Sequence, residues 1–142
     1  MTRTKGVSLL KIFADGGSRG NPGPAGVGAV LFDETGKRVA EVSRYIGIAT
    51  NNVAEYLSAI YGLQEAVHLK AKEVKLHLDS QLIARQLKGE YKVKNADLKK
   101  FFDLAVNLFR EFDKLDIIEV PREQNKEADE LVNKALDLKT LL

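Results

Sequence analysis

Cysteine is absent from this chain of 142 residues, and that single absence removes several functional classes. Disulfide frameworks are excluded, cysteine-ligated zinc sites are excluded, and nothing favours an oxidising compartment. Long apolar runs are missing too. The opening MTRTKG leads into a strand-like segment rather than an apolar signal region, and no stretch reaches the length of a bilayer span. A cytoplasmic protein without a membrane partner is the resulting expectation. Charge of one sign is scarce: 22 Lys and Arg against 20 Asp and Glu leave a net +2. Any hold on a polyanion must then come from a local patch. Repeats and low-complexity segments are lacking, and the length suits one domain over residues 1–142 with a continuous core.

What is present alternates between strand and helix patterns. Ser8 to Asp15 alternates apolar positions and is expected to stop at GGSRGNPGP, whose glycines and prolines do not favour a strand. Gly26 to Phe32 and Val39 to Tyr45 read as two strands joined through DETGK in a hairpin. From Val53 to Leu69 the period changes, and Tyr56, Ile60, Leu63 and Val67 form one helical stripe. Glu73 to Leu78 returns to alternation and ends at Asp79. A short helix over Ser80 to Leu87, a lysine-rich loop, a helix over Asp97 to Phe112, a strand over Asp116 to Val120 and a closing helix over Lys126 to Leu138 complete the chain. This order predicts an α/β fold: a five-stranded mixed sheet, three antiparallel strands then two parallel ones, flanked by helices. Right-handed crossovers would set strands four and five parallel to strand one.

Four carboxylates stand at the joints of this pattern. Singly, each has an ordinary explanation. Asp15 is a turn acid, Glu55 closes a capping box with Asn52, Asp79 caps the helix at Ser80, and Asp129 suits the first turns of the last helix. Together they point elsewhere. If strands one and four are neighbours, Asp15 and Asp79 sit about 5 Å apart across the sheet. Two carboxylates that close repel unless one is protonated or a cation lies between them, and a hard divalent cation with oxygen ligands is the simplest candidate. Glu55 and Asp129 would complete a site for two cations, suited to hydrolysis of a phosphodiester. Mg²⁺ is the first choice, with Mn²⁺ a substitute.

These residues resemble the type 1 ribonucleases H across nearly the whole chain. The resemblance is carried by DGGSRGNPGPAGVGAV from Asp15, TNNVAEY from Thr50, LDSQ from Leu78 and NKEADELVNKA from Asn125. It implies a ribonuclease H-like fold and a metal-dependent endonuclease that cuts the RNA strand of RNA/DNA hybrids and leaves 5′-phosphates. Asp15, Glu55, Asp79 and Asp129 fall on the family's metal-binding catalytic positions. Gly16, Asn21, Asn51 and Gln81 fall on substrate-binding positions, the three amides where 2′-hydroxyls are displayed in the minor groove. Thr50 and Asn95 match positions that hold a phosphate of the DNA strand. Lys88, Lys92, Lys94, Lys99 and Lys100, set against Glu90 and Asp97, form a patch able to track a backbone.

Three departures qualify the transfer. VPREQN replaces the family's usual histidine-bearing loop, as in the branch with a short loop. That leaves Arg122 or Glu123 as stand-ins for a residue assisting product release, and neither His68 nor His77 is placed to replace it. Ile48 stands where many members place an arginine beside the DNA-phosphate pocket. The basic protrusion of longer members is missing, and no separate hybrid-binding module is expected ahead of the first strand, so binding should be salt-sensitive. A monomer is expected. Two competing readings are a nucleic-acid-binding module that has lost catalysis and an enzyme that also takes double-stranded RNA.

Overall fold

A computed structural model describes residues 8–141, with side chains described as far as Lys139. Three strands come first, β1 (Leu9–Ser18), β2 (Gly23–Asp33) and β3 (Arg38–Ala49), then helix α1 (Asn51–His68) and strand β4 (Glu73–Leu78). Helices α2 (Gln81–Leu87) and α3 (Ala96–Phe109), strand β5 (Lys114–Glu119) and helix α4 (Lys126–Leu141) follow. The sheet order is β3-β2-β1-β4-β5. β1 pairs antiparallel with β2 and parallel with β4, while β2–β3 is antiparallel and β4–β5 parallel. The expected mixed sheet and its parallel half are therefore present.

Alternation of side chains divides the sheet into two faces. Leu10, Ile12 and Ala14 of β1, Val27, Ala29 and Leu31 of β2, and Leu76 and Leu78 of β4 are fully buried. They meet Tyr56, Ala59 and Leu63 of α1 in one core cluster. Each large aliphatic residue so buried contributes about 1.5–3 kcal/mol relative to exposure. Helix α4 covers the other face of β2 and β3, where Gly26 and Gly28 admit it closely: a Cβ on Gly28 would stand 2.2 Å from the Ala128 carbonyl oxygen. The β2–β3 hairpin closes as DETGK predicted, with Gly36 at φ 87° and the Asp33 carboxylate accepting from the Thr35 and Lys37 amides.

Several boundaries move. Expected to stop at the glycine run, β1 continues to Ser18, because Gly16, Gly17 and Ser18 pair with Val27, Gly26 and Ala25. Long-range pairing overrides the local preference of glycine for turns. Helix α1 begins at Asn51 rather than Val53, since Thr50 caps it through a 3.2 Å bond from the Val53 amide to its hydroxyl. Helix α3 ends at Phe109, short of Phe112, which still reaches the core from the following turn. Among the described residues no helix is long and apolar enough to cross a membrane.

Candidate active site

Parallel pairing of β1 with β4 runs as far as Ala14 opposite Leu78. The next residues along the chain are Asp15, still within β1, and Asp79, just past β4, which alternation turns toward the face that carries α4. Glu55 arrives from the opposite face, on the first turns of α1. Gly16 permits that approach, because a Cβ there would lie 2.1 Å from the Ala54 carbonyl oxygen and 2.7 Å from the Glu55 nitrogen. Its amide also donates to Glu55 Oε1 at 3.4 Å. One carboxylate oxygen from each of Asp15, Glu55 and Asp79 lies within 4.8 Å of the other two. Asp129, exposed on α4, lines the same cleft of about 420 Å³.

The helix-start readings of Glu55 and Asp79 do not hold. Thr50, not Asn52, is the N-cap of α1, and Ser80, not Asp79, caps α2 with its hydroxyl accepting from the Ile83 amide at 3.3 Å. Both acids are thereby released from local duty. Burial pushes the Asp15 carboxyl up to about 7, with the Asp79 and Asp129 charges adding to the rise and a hydrogen bond from Glu55 opposing it. Glu55 is raised well above the carboxylate range by burial first and the Asp15 charge second. Its Oε2 is buried with no hydrogen-bond partner.

An orphaned carboxylate oxygen beside two other acids, in a cleft open to solvent, is the donor set of a hard divalent cation, so the residues fit such an ion. Without one, the site is a source of instability. A carboxyl raised from 3.8 to about 7 binds more protons in the folded than in the unfolded protein, so its contribution is full below about pH 4 and is lost as pH rises to about 7. Asp15→Asn should therefore melt above wild type in EDTA at pH 7, by roughly 2–4 °C for each kcal/mol relieved. The advantage should shrink at pH 4.5. Equal melting temperatures at pH 7 in EDTA would refute this account.

Five of the six residues matched to substrate contacts fall into two adjoining hollows. Gly16 and Asn51 line the carboxylate cleft, while Asn21, Thr50 and Asn95 line a groove of about 220 Å³ between the starts of α1 and α3; Asn52 borders both. Asn21 accepts the Asn51 amide through its Oδ1 at 3.0 Å, and Asn51 Oδ1 accepts the Ser18 amide at 2.8 Å. Their side-chain nitrogens have no protein partner among the described residues. Gln81, at the exposed start of α2, lines neither hollow.

Of the two stand-ins in the short loop, Arg122 lines the carboxylate cleft and Glu123 does not. His77 stacks on Phe13 with ring centroids 4.1 Å apart, and its Nδ1 bonds the Ile12 carbonyl at 2.9 Å, away from the cleft. Asn125 and Asn133 escaped sequence reasoning. Asn133 donates to Asp129 at 3.4 Å from one turn further along α4, an i,i+4 spacing that could have exposed it.

A family model described as reverse transcriptase-like matches residues 13–135. The bifunctional protein Rv2228c of Mycobacterium tuberculosis is 49% identical over 89% of this chain, which spans only 35% of that relative. Ribonuclease HI of Halobacterium salinarum is 45% identical over 88% of this chain and 63% of its own length. Among solved structures, a ribonuclease H1 isolated from compost and crystallised with an RNA/DNA hybrid superimposes with a TM-score of 0.87. It is 46% identical over 94% of this chain and 99% of that one. Sheet order, near-complete coverage and this level of identity agree, and the chain belongs to the type 1 ribonuclease H family.

Proposed function

We propose that this chain is an endonuclease that hydrolyses the RNA strand of RNA/DNA hybrids and leaves 5′-phosphates, with Asp15, Glu55, Asp79 and Asp129 holding two divalent cations. The convergence of Asp15, Glu55 and Asp79 within 4.8 Å carries this reading, since nothing in the fold requires three acids at one spot. Bound there, Mg²⁺ or Mn²⁺ would supply Lewis acidity, activating a water and stabilising the leaving oxygen. The chain's own groups place the substrate. The free amide nitrogens of Asn21 and Asn51 are donors suited to 2′-hydroxyls and sugar oxygens in a wide minor groove. Gln81, on α2 and outside both hollows, is the third amide that the family resemblance matches to the substrate. Thr50 and Asn95 flank the groove where two helices start, and helix starts favour a phosphate.

Two adjoining hollows, one acidic and one at helix starts, suit the two strands of a duplex. Lys100 lines a hollow neighbouring the groove at the helix starts, together with Ile48 and Phe101. Ile48 is 69% exposed and offers no charge, which supports weak, salt-sensitive binding. Labelled hybrid, double-stranded RNA and single-stranded RNA, incubated side by side with Mg²⁺ or Mn²⁺, test the reading. RNA-strand cleavage of the hybrid with multiple turnover is the expected result. Binding without turnover in either metal would sink it, and equal cutting of double-stranded RNA would widen the substrate.

Arg122 has no ion-pair partner among the described residues, although it borders an acidic cleft. A guanidinium there can hold a phosphate by charge-assisted hydrogen bonds, worth about 1.5–3 kcal/mol each. Arg122→Ala should accordingly lower kcat/KM roughly tenfold or more, and Glu123→Ala should not. Unchanged steady-state kinetics in Arg122→Ala would remove the residue from the site.

A further inference from the structure

Four polar residues stand at helix starts with a backbone carbonyl that accepts the first helical bond: Thr50, Ser80, Asn95 and Asn125. At three of them the side-chain oxygen turns back to cap the helix. Asn95 does so twice, accepting from the Asp97 and Leu98 amides at 2.9 and 3.1 Å. Asn125 does the reverse. Its side chain turns away from α4, and its Nδ2 donates to the Ala14 carbonyl and to Asp79 Oδ2, each at 2.9 Å. The oxygen that would cap α4 is buried with no partner.

Asn125 is only 1% exposed, so an unmatched amide oxygen and a forgone cap are both costly there. The orientation is nonetheless forced, because a carbonyl and a carboxylate are both acceptors and only the nitrogen can face them. Both bonds end where the acids emerge. Ala14 precedes Asp15, and Ala14 pairs with Leu78, which precedes Asp79. The backbone of Asn125 also accepts the Asp129 amide at 3.1 Å. One buried residue thus ties together the interior of β1, the segment just past β4 and the helix α4, which carry three of the four acids. Being neutral, its amide holds one oxygen of Asp79 without discharging it, as a lysine or arginine would.

We infer that Asn125 is a positioning residue, a buried neutral donor that sets the Asp79 carboxylate against β1 at Ala14 and so presets the cation site, at the expense of capping α4. The inference rests on the proposed reading of the acids as cation ligands. Residues that orient metal ligands in this way change affinity by about 10–100-fold when removed. Calorimetric titration of Mn²⁺ into metal-free Asn125→Ala, with no nucleic acid present, should show a Kd raised about 10–100-fold. At saturating metal and hybrid the expected loss is in kcat, with hybrid affinity in EDTA within about twofold of wild type, since Asn125 touches no substrate-facing hollow.

A Mn²⁺ Kd unchanged in the folded variant, accompanied only by a lower melting temperature, would reduce Asn125 to a structural residue and overturn the inference. Should Asn125→Ala fail to fold, the wild-type protein decides. Its Asn125 side-chain amide resonances should shift when Mg²⁺ is titrated, and resonances that stay fixed through saturation overturn the inference as well. Wild type that binds no Mn²⁺ would defeat the cation reading itself, a result distinct from equal binding by wild type and variant.

Discussion

Asp79→Asn is expected to lose on the order of 1,000-fold in kcat while keeping its fold. The substitution is isosteric, and the new amide oxygen can still accept from Asn125 Nδ2, so the tie at 2.9 Å survives. What disappears is one of three carboxyl groups whose oxygens lie within 4.8 Å of one another. For the metal-free protein that loss relieves repulsion on Asp15 and Glu55, both of which the Asp79 charge pushes upward. Stability in EDTA should therefore rise or hold. For a cation the same change removes a charged ligand, and because even groups behind the ligands are worth about 10–100-fold, a ligand should exceed that range. Single-turnover cleavage of labelled hybrid and thermal denaturation in EDTA measure the two effects separately. A variant that cuts within tenfold of wild type would disprove the role given to Asp79.

Gly16→Ala should be severely damaging although it leaves every acid in place. Its Cβ would lie 2.1, 2.3 and 2.7 Å from the Ala54 oxygen, the Ala54 carbon and the Glu55 nitrogen. All three are backbone atoms of a helix packed on the sheet and cannot rotate away, so α1 has to shift. Overpacking of this kind costs about 3 kcal/mol. For a chain of this size that is a fall of roughly 10 °C in melting temperature. Because the displaced segment carries Glu55, activity should fall with it, even in the fraction that remains folded at 25 °C. Gly17→Ala is the control. Its Cβ would meet only Asn51 Oδ1, at 3.9 Å, and its melting temperature should stay near wild type. If the two variants melt together, close approach of α1 to β1 is not what Gly16 provides.

Both predictions turn on contacts between segments distant in the chain, and that is where sequence reading succeeds or stops. The approach of Asp15 to Asp79 was legible because a parallel crossover fixes register: each aspartate follows the last paired residue of its strand, so neighbouring strands bring the acids together. Glu55 was partly legible. Its motif marked it, yet the local rule assigned it to a capping box with Asn52, and only the earlier start of α1 at Asn51, capped by Thr50, frees its carboxylate. The glycine run after Asp15 misled, since glycine and proline punctuate loops in a local reading. Here they extend a strand, because the pairing partners lie in β2 and the missing side chains admit α1 and the turn.

Asn125 was legible only as the first residue of a motif, just ahead of a helix. Asn95 and Asn125 occupy equivalent places before α3 and α4, and local preference treats them alike. Which way each amide turns depends on what faces it: free helix amides for Asn95, the Ala14 carbonyl of β1 and the Asp79 carboxylate past β4 for Asn125. No window of sequence holds both sides of that choice.

The amino-acid sequence by itself determined the order of strands and helices, the antiparallel and parallel halves of the sheet, and the four acids with their motifs. Period, turn chemistry and crossover handedness are short-range or topological rules, and they act before any packing is known. Only the tertiary structure decided that Gly16 is a contact surface for a helix, that Glu55 carries a buried unpaired oxygen, and that Asn125 faces Asp79. Burial and close approach arise when distant segments meet, and they set both the charge state of the acids and the direction of the amide that holds one of them.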